Sequence, residues 1–78
     1  MAEQIEIHVG RRLRVRRRQM DMTQAELGRR VGVSFQQIQK YECAAQRITV
    51  TTLWKLARAL EIEPDYFLSG LKEEAPAP

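Results

Sequence analysis

One cysteine and one histidine occur among the 78 residues. Cys43 therefore has no internal disulfide partner, and no Cys/His cluster with metal-ligand spacing can form. No apolar run approaches the roughly 20 residues that span a bilayer. The opening segment, MAEQIEIHVG, lacks the apolar stretch of a signal peptide. Catalytic constellations are missing as well: there is no nucleophile–base pair, no paired carboxylates and no phosphate-cradling glycine loop. The expectation is one reduced, soluble, cytoplasmic all-α domain with a limited core. No enzyme activity, cofactor, metal, small-molecule ligand or membrane contact is expected.

Acidic residues are scarce where basic ones crowd. Residues 11–58 carry twelve Lys and Arg against three Asp and Glu, whereas residues 59–78 carry one Lys against five acids. The net charge of +3 hides this asymmetry. A basic segment suits a polyanion such as nucleic acid, although a solvated charged surface explains a basic run alone equally well.

What tips the balance is the stretch from Thr23 to Glu42. Thr23-Gln24-Ala25-Glu26 and Ser34-Phe35-Gln36-Gln37 each place a hydroxyl at an N-cap and Glu or Gln three residues on. Two short helices follow, Gln24 to Val31 and Phe35 to Glu42 or Cys43. Gly32 lies in the turn between them, where positive φ is needed. Gly28, inside the first of them, implies close approach of another helix. The remaining expectations are a helix from Ile5 to Met20 with Ile5, Val9, Leu13 and Met20 inward, ended by Asp21 in the left-handed region. A fourth helix runs from Val50 to Leu60, capped by Thr49. A fifth runs from Pro64 to Leu68 and ends at Gly70. Residues 1–71 form the domain, and 72–78, KEEAPAP, a disordered tail.

The 3.6-residue period turns Ile38, Tyr41 and Glu42 of the third helix inward. It leaves Gln36, Gln39, Lys40 and Cys43 outward, with Gln37 at the margin. Gln can bond adenine bidentately, and Lys can reach guanine or a phosphate. Phe35 suits a thymine methyl or the edge of the core. This layout is that of a helix-turn-helix whose second helix enters the DNA major groove. Thr23, Gln24, Ser34 and Arg47 are placed to hold phosphates at helix N-termini and in the loop after the third helix.

These residues resemble the Cro/C1-type (Xre family) helix-turn-helix of phage and bacterial repressors. The matching positions are Thr23-Gln24-x-x-Leu27, Val31-Gly32-Val33-Ser34, Ile38, Tyr41-Glu42, Ile48-Thr49, Leu53, Leu56-Ala57, Ala59-Leu60 and Pro64-Asp65-Tyr66-Phe67. The resemblance covers roughly residues 5–70. It implies a five-helix, lambda-repressor-like domain that binds an inverted-repeat operator as a homodimer. It puts base contacts on Phe35, Gln36, Gln37 and Lys40, phosphate contacts on Gln24, Cys43 and Arg47, and a buried ion pair at Arg17 and Glu42. Two positions depart from the family pattern, each where glycine is usual. Ala44 follows the third helix and Asp21 the first.

Several residues admit duller readings. Cys43 is either a redox sensor or inert, His8 a solvent-facing residue of the first helix. Trp54 lies under the N-terminal helix or in a dimer interface. Tyr66, Phe67, Leu68 and Leu71 form a lid on the core or a dimer contact. The competing functional class is a protein-interaction module, such as an antitoxin or a polymerase accessory factor.

Overall fold

The computed structural model describes residues 3–71, so the tail at 72–78 lies outside it. Four α-helices follow in order: α1 Gln4–Gln19, α2 Gln24–Val31, α3 Phe35–Glu42 and α4 Val50–Ala59. A 3-10 turn, Pro64–Phe67, closes the chain, and no strand occurs among the described residues. The expected fifth α-helix is thus only this turn. Pro64 fixes its start, and its bonds span three residues, as from Tyr66 N–H to the Glu63 carbonyl at 3.0 Å.

The core is small. Leu13, Leu27, Ile38, Leu56, Leu60 and Phe67 are fully buried, joined by Val9, Met22, Val31, Tyr41 and Ala57. Each α-helix contributes its apolar stripe, and Phe67 covers the end. Ile5, expected inward, is 55 % exposed. It stands on the first turn of α1 at the rim of an apolar groove of about 180 Å³. Ile5, Val9, Tyr41, Ile48, Leu53 and Leu68 line this groove. Trp54 is exposed, with the Arg58 guanidinium 5.2 Å from its ring centre.

All four α-helices stop the same way. Past the end of each, one residue turns left-handed and the next N–H reaches back to a carbonyl five residues earlier. The pairs are Met22 to Arg17, Val33 to Gly28, Ala45 to Lys40 and Ile62 to Ala57, at 2.8–3.1 Å. These are Schellman caps, which satisfy carbonyls the helix leaves open. Only the cap of α2 has glycine in the left-handed position (Gly32, φ 81). Asp21 (φ 54), Ala44 (φ 59) and Glu61 (φ 56) hold the other three.

Met22, Val33 and Ile62 seat the residue after the turn against the core, whereas Ala45 is exposed. The α3 cap therefore carries left-handed strain with little apolar compensation. Ala44→Gly is expected to raise stability by about 1 kcal/mol. It relieves a left-handed penalty of about 1–2 kcal/mol, part of which the greater freedom of unfolded glycine returns. The urea midpoint should rise with the m-value unchanged.

Candidate functional site

Three cap hydroxyls set where α2, α3 and α4 begin. Thr23 Oγ1 accepts from Glu26 N–H at 3.0 Å, and the Glu26 carboxylate accepts from Thr23 N–H at 3.1 Å. Ser34 Oγ accepts from Gln37 N–H, and Thr49 Oγ1 from Thr52 N–H, both at 3.1 Å. The box at Thr23 is complete, while that at Ser34 is one-sided, with no return bond from the Gln37 amide. A neutral amide is the weaker acceptor for such a bond than a carboxylate.

The Thr23 backbone bond and then its hydroxyl hold the Glu26 carboxyl below its ordinary pKa, against an opposing desolvation and with lesser help from the charges of Arg29 and Arg30. A lowered carboxyl pKa stabilises the fold above the unfolded value of about 4.3 and stops doing so as pH falls through the folded value. Thr23→Ala should therefore cost about 1 kcal/mol at neutral pH in urea unfolding. Glu26→Gln should flatten part of the fall in melting temperature below about pH 4.3.

Gly28 makes room for the turn between α2 and α3. A Cβ there would lie 2.5 Å from the Val33 carbonyl oxygen. The close neighbour is thus the connecting backbone, not the body of another helix.

Glu42, at the end of α3, gathers three elements. Arg17 and Glu42 are each only 8 % exposed. Arg17 Nε donates to Glu42 Oε2, and Arg17 Nη2 donates to Oε1 at 3.0 Å. Arg17 Nη1 reaches the Met22 carbonyl at 2.8 Å. The hydrogen bond to Glu42, opposed by desolvation and aided by the carboxylate charge, raises the Arg17 pKa. Gln24 Nε2, from the first turn of α2, adds a bond to Glu42 Oε1 at 3.1 Å. Arg14 stands 3.9 Å from the same oxygen, with its side chain half exposed.

The other α1 arginines divide. Arg12 Nε donates to the Tyr66 carbonyl at 3.0 Å, and its guanidinium lies 3.8 Å from the Tyr66 ring centre. Arg16 Nε donates to the Leu60 carbonyl at 3.0 Å. Arg11, Arg14 and Arg18 are exposed. Half of the arginine crowd thus ties α1 to the ends of other elements. His8, expected in solvent, is half-buried, and its Nε2–H donates to the Ser69 carbonyl at 2.7 Å.

Beyond this hub, α3 presents a free face. Phe35, Gln36, Gln39, Lys40 and Cys43 are exposed and Gln37 is half-buried. Among the described residues, no intramolecular hydrogen bond engages the side-chain amides of Gln36, Gln37 and Gln39 or the Lys40 ammonium. Cys43 Sγ lies 3.8 Å from the Lys40 carbonyl. Arg47, in the following loop, is ion-paired: its Nε lies 2.9 Å from Glu6 Oε1 on α1. Spacing alone had marked neither Arg14 nor Glu6. Arg14 could have been found from its place one turn before Arg17 on α1, while nothing in the sequence links Glu6 to Arg47.

Comparison with known proteins places this geometry. The helix-turn-helix family profile matches residues 13–67. An uncharacterized transcriptional regulator in the ATPase CF(0) region of Rhodospirillum rubrum is 47 % identical over 72 residues, 92 % of this chain and 67 % of that protein. An uncharacterized HTH-type transcriptional regulator of Sinorhizobium fredii is 44 % identical over 73 residues, 94 % of this chain and 51 % of that protein. The chain thus spans about half the length of the latter. The crystal structure of the P22 c2 repressor in complex with a synthetic operator superposes with a TM-score of 0.74 at 39 % identity. The match covers 80 % of this chain and 94 % of that one.

Proposed function

This chain belongs to the Cro/C1-type helix-turn-helix family of transcriptional regulators, not a class of enzymes, and from that premise we propose that it is a sequence-specific repressor. In this reading α2 and α3 are the helix-turn-helix, and α3 enters the major groove of duplex DNA. Two copies bind an inverted repeat, with their recognition helices about 34 Å apart. The observation that carries it is the outward face of α3, where three glutamines and one lysine stand together with no side-chain hydrogen bond inside the described residues.

Base contacts fall to Phe35, Gln36, Gln37 and Lys40, and phosphate contacts to Thr23, Gln24, Ser34, Cys43 and Arg47. The bonds that Thr23, Ser34 and Gln24 already make are compatible with these roles. Thr23 and Ser34 use their oxygens as acceptors, which leaves each O–H to donate. The Gln24 amide gives one N–H to Glu42 and keeps a second. Exposed Leu68 and Trp54 supply apolar surface for a dimer. No helix among the described residues is long and apolar enough to cross a membrane, and the site of action in this reading is the cytoplasm.

The test is selection from a pool of random duplexes at near-physiological salt. An inverted repeat with half-sites about 10–11 base pairs apart is the expected product. Binding without an enriched motif, collapsing steeply with salt, would sink the specific reading and favour an interaction module. On a selected operator, Gln36→Ala should cost about 1–3 kcal/mol of discrimination at one base pair per half-site. Equal weakening of every sequence would refute direct readout by Gln36.

A further inference from the structure

The Glu6–Arg47 pair has no place in the reading above. Arg47 sits in the loop after α3, with its side chain 80 % exposed, whereas the Glu6 side chain is only 24 % exposed. Glu6 lines the groove beside Ile5 and Val9, under that loop. The carboxylate is therefore the sheltered partner and the guanidinium the one open to solvent. A surface pair of this kind is weak, so an incoming anion can displace it.

We propose that Glu6 is an internal competitor for the phosphate that Arg47 takes in the DNA complex, and so sets the affinity and salt dependence of binding. This rests on the reading of Arg47 as a phosphate contact. In the free protein the phosphate meets a pair of net charge zero rather than a bare cation. Binding exchanges one ion pair for another and leaves Glu6 unpaired near the DNA backbone. Neutralising Glu6 removes both the exchange and the repulsion.

The experiment measures Glu6→Gln, Arg47→Gln and the double variant. Each binds a random-sequence duplex and a selected operator over a salt series, with melting temperatures to verify folding. Glu6→Gln is expected to tighten binding by up to about fivefold per protomer at low salt. The slope of log affinity against log salt should steepen by up to about 0.9 per protomer. In the Arg47→Gln background only relief of the repulsion remains, so the gain and the steepening should be clearly smaller, which separates an effect through Arg47 from a mere gain in net charge.

Weaker binding by Glu6→Gln would overturn competition and make Glu6 the residue that positions Arg47. An unchanged affinity and slope, with the wild type binding normally, would overturn the role of Glu6 alone. An equal gain in both backgrounds would also overturn it. Failure of the wild type to bind either duplex would overturn this proposal together with the functional reading.

Discussion

Arg17→Met is expected to lower the unfolding free energy by about 3–5 kcal/mol. A domain of this size has roughly 4–12 kcal/mol in all, so the loss is a quarter of its stability or more. The size of the effect follows from what is left behind. Glu42 is buried, and without Arg17 its carboxylate keeps only the Gln24 amide at 3.1 Å and Arg14 at 3.9 Å. The Met22 carbonyl also loses its donor. Arg17→Lys should rescue little, because one ammonium cannot reach both carboxylate oxygens and that carbonyl together. Arg17→Met with Glu42→Leu should recover most of the loss, since removing both charges leaves no unpaired ion in the core. Urea unfolding of the four proteins decides it. A single variant within 1 kcal/mol of wild type would mean that the pair does not anchor α3.

The elements legible in the sequence are those fixed by their own neighbours. Thr23, Ser34 and Thr49 cap their helices through N–H groups three residues away, and Gly32 turns the chain by its own φ. The inward and outward faces of α3 follow from the helical period over eight residues. Asp21 and Ala44 both take the left-handed conformation in place of glycine, so the helix ends are kept at these two departures from the family pattern.

What was not legible depends on partners distant in the chain. A run of arginines reads as outward charge. Yet Arg12 meets the carbonyl of Tyr66 and Arg16 that of Leu60, separations of 54 and 44 residues. No periodicity within α1 can show which helix ends will lie beside it. The same limit applies at the candidate site. That α3 offers Gln36, Gln39 and Lys40 is local, but that Gln24 is shared with Glu42 and Arg47 with Glu6 emerges only after packing. A carboxylate near the start of α1 has a sufficient local reason in the helix dipole, which hides its second partner.

Gly10→Ala is expected to destabilise the protein by about 3 kcal/mol, the opposite of what helix propensity alone implies. In an exposed helix, replacing Gly by Ala gains about 1 kcal/mol. Gly10 is buried in the middle of α1, and a Cβ there would lie 2.6 Å from the Tyr41 carbonyl oxygen and 2.7 Å from that of Glu42. Both obstacles are backbone, so no rotamer change can clear them. The two helices would have to separate, and overpacking of a side-chain core already costs about 1–3 kcal/mol. The separation would fall at the end of α3 that carries Glu42, stretching the bonds to Arg17 and Gln24. Gly10→Ala should therefore weaken operator binding even at temperatures where the variant remains folded. Urea unfolding and operator titration on the same sample would test both parts. A variant as stable as wild type would show that α1 and α3 can move apart freely. A destabilised variant with unchanged affinity when folded would show that the position of the α3 end does not matter for binding.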